Sequence, residues 1–136
     1  MNFSTPYIIS TFDADWPPGL ARRFEENTLK RIWLLGDARI LKTRKTALFC
    51  SSRCPGNAIL NAFDTARELR EKGVTIISGF HSPVEKDFLR ILLRGNQPII
   101  YCIARALNGM RIPKELRPAI EAGRFLILSP FETSPR

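Results

Sequence analysis

A polar loop at residues 51–56 combines groups that are typical of an anion-binding site. Ser51 and Ser52 carry hydroxyl donors, Arg53 carries a guanidinium, and Gly56 allows a close backbone approach. The loop lies just before a predicted helix, whose first N–H groups and positive dipole end favour a bound phosphate. An arginine fork adds charge-assisted contacts to the same oxyanion. The combination favours a phosphate site, and an ordinary polar loop with a serine helix cap is the alternative.

A second candidate loop follows the next predicted strand. Ser78 and Gly79 come at the end of that strand, and they are followed by His81, the only histidine of the chain. Lys86 lies a few residues further on. At the lip of a strand, His81 is placed to contact a ligand or to transfer a proton, and a hydrogen-bonded structural histidine is the alternative. We include all four residues in the predicted phosphate or nucleic-acid site.

The same loop contains a helix-start signal. Ser82-x-x-Glu85 is a capping-box pattern, and Pro83 falls at the first helical position. This pattern explains Ser82 and Glu85 structurally. A catalytic acid at Glu85 is therefore the weaker interpretation.

The cysteines and glycines form no recognisable metal or cofactor motif. Cys50 and Cys54 lack the further ligands of a zinc site, and one histidine cannot complete it. Cys50 and Cys102 fall in predicted strands and are interpreted as small buried apolar residues. The sequence has neither the Gly-x-Gly-x-x-Gly pattern of dinucleotide sites nor a P-loop lysine motif. We predict no metal, no cofactor and no catalytic residue.

Length and charge narrow the class of protein. The 136 residues suit one domain, and the net charge of +8 favours a polyanionic partner, of which nucleic acid is the commonest. No apolar run is long enough to span a bilayer, and the first residues lack a secretory pattern. An odd, small number of cysteines does not suit a disulfide framework. These features predict a cytoplasmic protein without a membrane partner.

The elements that must position the two loops follow from hydrophobic periodicity. Short apolar runs alternate with helical patterns, which predicts a Rossmann-like α/β fold with a mainly parallel sheet and helices on both faces, in three layers. In such sheets ligands bind outside the carboxyl ends of the strands. The predicted central strands are Thr46–Cys50, Val74–Ile77, Pro98–Ile103 and Phe125–Leu128, and the helices are Asn57–Lys72, Ser82–Arg94 and Pro113–Glu121.

The first 30 residues are predicted to form an extension that packs on this single domain of residues 1–136. The segments preceding the core are a strand at Tyr7–Ser10, a short amphipathic helix after Pro18 carrying Leu20 and Phe24, a strand at residues 32–36 and a basic connector at residues 39–45.

Several segments, taken in their order along the chain, are similar to the Rossmann-like core of the DNA-processing protein A (DprA/Smf) family. This family lies within the wider superfamily that includes LOG-type phosphoribohydrolases. The matching segments, within residues 15–131, are Trp16-Pro17, Leu35-Gly36, Ala47–Arg53, Ser78-Gly79, Pro98–Tyr101 and Ile127–Ser129. The chain departs from the family pattern at Ser51, where the family has Gly, and in the second loop, where the family's Ala-Arg-Gly-Ile-Asp is replaced by residues 81–85.

The resemblance implies binding of single-stranded DNA in a basic pocket at the strand ends. It also implies contact with a RecA-type recombinase and formation of a homodimer. The Gly-Gly-rich phosphate loop and the Pro-Gly-Gly…Thr-x-x-Glu helix of LOG-type hydrolases do not occur in the sequence. A non-enzymatic protein is therefore the favoured interpretation.

Three hypotheses follow. The first is a nucleic-acid or nucleotide-phosphate binding protein, with single-stranded DNA favoured, in which Ser52, Arg53, His81 and Lys86 line the phosphate-binding edge. The second is a nucleotide-sensing or nucleotide-cleaving enzyme that uses the same pocket, with Glu85 or His81 as acid or base. The third is a partner-binding protein whose basic face only keeps it soluble. The sequence leaves DNA, RNA and mononucleotides open as ligands.

Overall fold

Six strands form one sheet in the computed structural model, which describes residues 5–23 and 29–133. The strand order is β1-β2-β6-β5-β4-β3, with neighbours hydrogen-bonded. The bounds are β1 Tyr7–Ser10, β2 Arg31–Leu35, β3 Lys45–Ala47, β4 Thr75–Ser78, β5 Ile99–Cys102 and β6 Phe125–Ser129.

The sheet has a parallel half and an antiparallel half. Strands β3, β4, β5 and β6 run parallel to one another, with Ile76 opposite Ile99 and Ile100 opposite Leu126. Strand β2 runs antiparallel to both β1 and β6. The α/β class and the mainly parallel sheet predicted from the sequence are confirmed.

The helices match the predicted segments closely. They are α1 Pro18–Arg23, α2 Gly56–Glu71, α3 Pro83–Leu93 and α4 Arg117–Glu121. Helix α3 begins with the predicted capping box, in which Ser82 and Glu85 bond reciprocally. The helix predicted at Pro113–Glu121 is split into a 3-10 turn, Lys114–Leu116, and α4.

Helices α2, α3 and α4 pack on the same face of the sheet. The parallel strands follow one another in chain order across the sheet, and right-handed crossovers between such strands place every connecting helix on one side. Ala66, Phe88 and Ile120 accordingly share a core with Ile76 and Phe125 of the strands. The predicted three-layer arrangement is not confirmed, because the three crossover helices form a single layer.

Shorter segments cover the opposite face. Trp16, Ile40 and Leu41 pack there against Ile100 and Leu126 of the sheet. The predicted basic connector is in part a 3-10 helix, Ala38–Lys42, whose N-terminus is capped by Asp37. The side chain of Arg39 bonds back to the carboxylate of Asp37, and this hydrogen bond holds the pKa of Asp37 below its ordinary value.

The predicted buried strand Thr46–Cys50 is wrong in two respects. Strand β3 ends at Ala47, and all three of its residues are exposed because it lies at the edge of the sheet. Beyond it, only Leu48 continues the ladder, by donating its N–H to the carbonyl of Ile77. Cys50 consequently lies in a loop and is half-buried, not in a buried strand.

The predicted N-terminal segments are described in part. Strand β1 is the outermost strand of the sheet, and Tyr7 donates its hydroxyl to the carbonyl of Gly36 at 2.8 Å. The predicted early helix corresponds to α1, but Phe24 and the residues up to 28 lie outside the described part of the chain. No helix among the described residues is long and apolar enough to cross a membrane.

We expect Gly36→Ala to lower the free energy of unfolding by about 2–5 kcal/mol. Gly36 has a φ of 122°, and a Cβ there would collide with the carbonyl oxygen of Phe125. Thermal unfolding followed by circular dichroism measures the effect. Gly19→Ala is the matched control, since a Cβ at Gly19 meets no atom within 4 Å, and an equal loss in both variants would contradict the prediction.

Candidate functional site

The loops after the parallel strands emerge along one edge of the sheet. Because β3, β4 and β5 are parallel, their carboxyl ends lie side by side. The first loop runs from residue 48 to 55, the second from 79 to 82, and the third begins at residue 103. Both loops singled out in the sequence therefore lie at the same edge, where ligands of open parallel sheets bind.

The carboxylate of Glu85 joins the first two loops. Its Oε2 accepts the N–H of Cys50 at 2.9 Å, and its Oε1 accepts the N–H of His81 at 2.9 Å. The N–H of Ser82 approaches Oε1 at 3.5 Å, and Ser82 Oγ accepts the N–H of Glu85 at 3.2 Å. Glu85 is only 7% exposed. Its buried carboxylate thus links the first two loops at the ends of their strands.

The hydrogen bonds of Glu85 determine its charge state. Burial by itself would raise the pKa of this carboxyl, but the N–H groups of Cys50, His81 and Ser82 outweigh burial and hold the pKa below its ordinary value of 4.5. Glu85 is therefore ionised at neutral pH. Both oxygens are occupied by donors of the protein itself.

The first loop exposes its polar groups. Ser51, Ser52 and Arg53 are all exposed, and Ser51 Oγ accepts the N–H of Arg53 at 3.2 Å. Helix α2 follows directly, and its N-cap residue, Pro55, supplies no side-chain hydrogen bond. Asn57 Oδ1 accepts the N–H of Ala58 at 2.9 Å, so in the described part of the chain the N–H groups of Gly56 and Asn57, at the start of this 16-residue helix, are left for another acceptor. A Cβ at Gly56 would meet no atom within 4 Å, so the space there does not require glycine.

The predicted residues of the second loop divide into buried and exposed ones. Ser78 is buried, and its Oγ accepts the N–H of Phe80 at 3.1 Å, which stabilises a turn in which Phe80 has a φ of 47°. A Cβ at Gly79 would lie 3.3 Å from Cδ2 of His81. His81 and Lys86 are exposed. Ser78 and Gly79 therefore shape the loop, whereas His81 and Lys86 present their side chains at its surface.

A cavity of about 290 Å³ lies at the ends of β4 and β5. Its polar lining comes from His81, Lys86 and Arg105, and the rest comes from Phe80, Tyr101, Ile103 and Ala104. The rings of Phe80 and Tyr101 lie 5.7 Å apart between centroids. In the part of the chain that the structure describes, no ion pair neutralises Lys86 or Arg105. The cavity therefore combines free positive charge with an aromatic wall.

A larger groove, of about 730 Å³, opens on the face opposite helices α2, α3 and α4. His81 lies at the junction of the groove and the smaller cavity, and Lys45 adds a second polar group to the groove. Apolar residues of the sheet line it, among them Ile32, Ile77 and Leu128. The carboxyl edge thus carries a polar cavity on one side and an apolar groove on the other.

The structure brings the predicted residues together only in part. His81 and Lys86 line one cavity, while Arg53 belongs to the neighbouring loop and does not line that cavity. The hydrogen bond between Cys50 and Glu85 is what fixes that loop beside the cavity. No cluster of three or more metal-binding side chains occurs among residues 5–23 and 29–133.

Two exposed residues at this edge are absent from the sequence prediction. Phe49 is 86% exposed in the first loop, although the sequence pattern placed it in a buried strand. Arg105 follows β5 and lines the cavity. Since ligands of parallel sheets bind outside the carboxyl ends of the strands, the loop after β5 could have been predicted as part of the site as well. The backbone of Arg105 is held by Ser129, whose Oγ donates to its carbonyl at 2.5 Å.

The chain resembles two solved structures of DNA processing protein A over its whole length. The Streptococcus pneumoniae protein gives a TM-score of 0.72 at 19% identity over 98% of this chain, and the Helicobacter pylori protein gives 0.67 at 20% identity over 100%. The fold is DprA-like. The chain spans 47% and 61% of the lengths of these two structures. No protein-family model and no curated protein sequence matches it.

The resemblance inferred from the sequence is thus confirmed at the level of the fold. The Helicobacter pylori DprA structure is described for its mode of binding single-stranded DNA. The parallel strand order places the two candidate loops at one sheet edge, as expected from the parallel strands that the sequence predicted.

We expect Glu85→Gln to lower the free energy of unfolding by about 1–3 kcal/mol at neutral pH. A glutamine has one acceptor oxygen, so its NH₂ group must face the N–H of either Cys50 or His81. Thermal or urea unfolding measures the loss. Glu68→Gln is the control, because Glu68 forms an exposed surface pair with Lys72, and we expect its effect to stay within about 0.5 kcal/mol.

The difference between the wild type and Glu85→Gln should depend on pH. The folded pKa of Glu85 lies below 4.5, so the carboxylate stabilises the fold above that pH and loses this contribution as the pH falls through the folded pKa. Unfolding curves of both proteins from pH 7 downward should therefore converge in acid. If the difference in free energy of unfolding stays constant over this pH range, the charge of Glu85 is not the cause of the difference.

Proposed function

We propose that this protein binds single-stranded nucleic acid, with single-stranded DNA favoured, along the carboxyl edge of its parallel strands. The proposal rests chiefly on the joining of an exposed basic loop to a basic, aromatic cavity at that edge. The DprA-like fold supports it, because a protein of similar fold is described as a single-stranded DNA binder.

Phosphate recognition is assigned to the exposed cations and the start of α2. Ser51, Ser52, Arg53 and Gly56 would hold one phosphate at the helix N-terminus, where donors and dipole favour an anion. Lys86, His81 and Arg105 would hold the adjacent backbone across the cavity. Ser78 and Gly79 would support the second loop rather than contact the ligand.

Base recognition is assigned to the exposed ring of Phe49. Phe49 lies in the first loop, and its side chain is 86% exposed. Aromatic rings beside a basic track bind unpaired bases by stacking, whereas a base inside a duplex offers no free face. Phe49 therefore favours a single strand over a duplex as the ligand.

The alternative of a nucleotide-cleaving enzyme is less well supported. Its carboxylate candidate, Glu85, is buried, ionised and bonded through both oxygens to backbone N–H groups. Such a group holds loops in place, and while it is ionised it has no proton to donate to a ligand. Contact with a RecA-type recombinase, formation of a homodimer and a cytoplasmic location remain predictions of the sequence and its resemblance to DprA.

We expect affinity for an oligo-dT strand to fall steeply between 50 and 200 mM salt, because each neutralised phosphate releases a counterion. Arg53→Ala and Lys86→Ala should each weaken binding by about 1–3 kcal/mol. Fluorescence anisotropy with a labelled oligonucleotide measures both effects. Arg67→Ala is the charge-matched control, since Arg67 lies on α2 beyond the edge and pairs with Asp64. Equal losses in all three variants would mean that only net charge matters.

We expect Phe49→Ala to weaken binding of single-stranded DNA by about 1–3 kcal/mol and to leave the melting temperature unchanged. Phe49 is exposed, so its loss removes little packing. Phe12→Ala is the matched control, because Phe12 is 97% exposed and follows β1. Strands β1 and β3 are the outermost strands on opposite sides of the sheet. Unchanged binding by Phe49→Ala would contradict the stacking role, and equal binding of duplex and single strand would contradict the choice of ligand.

A further inference from the structure

Two cysteines flank the exposed part of the first loop. The Sγ atoms of Cys50 and Cys54 lie 3.1 Å apart, and between the two residues lie Ser51, Ser52 and Arg53. A disulfide needs its sulfurs about 2.05 Å apart, so the two thiols must approach by only about 1 Å. Both cysteines are free and partly exposed, which gives a small reagent access to them.

The surroundings of the two thiols assign different roles to them. Cys54 follows Arg53 and lies one residue before the N-cap of α2, and its Sγ donates to the carbonyl of Ser51 at 3.4 Å. Cys50 has its N–H held by Glu85, and the hydrogen bond with the Cys54 thiol, followed by burial and the nearby Cys54 and Glu85 charges, raises its pKa to about 11. Cys54 is therefore the attacking thiol and Cys50 the resolving one.

Cys102 differs from this pair. It lies in β5, lines the apolar groove, and burial raises its pKa to about 11. No sulfur contact to it occurs among the described residues. The chain therefore contains an internal control for the reactivity of the other two cysteines.

We propose that Cys50 and Cys54 are a reversible dithiol–disulfide site that is oxidised by low-molecular-weight disulfides and that closes the phosphate-binding loop into a ring. The Cys54 thiolate attacks one sulfur of the small disulfide, forms a mixed disulfide and releases one thiolate. Cys50 then attacks the Cys54 sulfur, forms the internal disulfide and displaces the second small thiolate. Two protein thiols lose two electrons, the small disulfide gains them, and the two protons end on the two released thiols.

The effect on ligand binding rests on the proposed function of the loop. In the reduced protein two hydrogen bonds hold the exposed residues, one from Arg53 N–H to Ser51 Oγ and one from Cys54 Sγ to the carbonyl of Ser51, together with the contact between the two sulfurs. Because the reduced loop already brings the sulfurs together, the disulfide fixes the conformation it has. A loop fixed in advance loses less entropy when it binds, so the oxidised protein binds single-stranded DNA several-fold more tightly.

Oxidised glutathione is the probe for the disulfide itself. After incubation, intact mass spectrometry of the wild type should show a loss of two hydrogens, with the bond mapped to the peptides of Cys50 and Cys54. Cys102→Ser should behave identically. In Cys50→Ser, Cys54 should instead retain a glutathione adduct. Absence of the internal disulfide, or its formation through Cys102, would overturn the proposal.

Binding of labelled oligo-dT by the oxidised and reduced protein tests the consequence. The affinity should rise on oxidation in the wild type and Cys102→Ser and stay constant in Cys54→Ser. If the disulfide forms and affinity does not rise, while Arg53→Ala still weakens binding, the regulation is wrong and the proposed function stands. If neither oxidation nor Arg53→Ala changes affinity, the proposed function of the loop fails, and the mass measurement alone decides the dithiol site.

Discussion

The candidate site depends on one buried carboxylate. Glu85 belongs to α3, yet its Oε2 reaches the backbone of Cys50, 35 residues earlier in the chain. A carboxylate accepts hydrogen bonds on both oxygens and donates none when ionised, so it is suited to a point where several N–H groups converge. The first loop lies beyond the last backbone hydrogen bond of β3 with β4, and the bond from Cys50 to Glu85 holds it in place. The position of Arg53 and Phe49 beside the cavity follows from it.

The order of the parallel strands imposes a second constraint. Since β3 to β6 lie in chain order, the crossover helices share one face, and the other face is left to a 3-10 helix and the segment around Trp16. These shorter segments do not cover the whole sheet, and the apolar groove lies on this face. The groove and the basic cavity meet at His81. The asymmetry of the sheet thus gives its carboxyl edge two chemically different sides.

Local sequence signals predicted most of the elements. The apolar periodicity located β4, β5 and β6, and the capping box located the start of α3, because these features depend on neighbouring residues alone. The exposure of β3 was not predictable in this way. An apolar run such as residues 46–50 has the same pattern at the centre of a sheet and at its edge, and only the strand order distinguishes the two cases. Phe49 was missed for that reason.

The candidate site was predictable to a similar extent. The two loops were located by their position after strands, and the capping box explained one oxygen of Glu85, which accepts the N–H of Ser82. The role of the second oxygen required knowledge of a contact between distant segments, which no local pattern contains. The proximity of the Cys50 and Cys54 sulfurs depends likewise on the path of a loop that has no regular structure.

The pairing of β2 with β6 has a consequence for how the chain folds. The parallel strands β4, β5 and β6 each lie beside the strand that precedes them in sequence, whereas Trp33 of β2 lies opposite Ser129 of β6. Pairing distant segments costs loop-closure entropy before it yields contacts, so it is the slow kind of step in folding. The antiparallel pair of β1 and β2, although first in the sequence, joins the sheet only through β6, the last strand of the chain. We therefore expect the parallel half to assemble first and the β1–β2 pair to dock last.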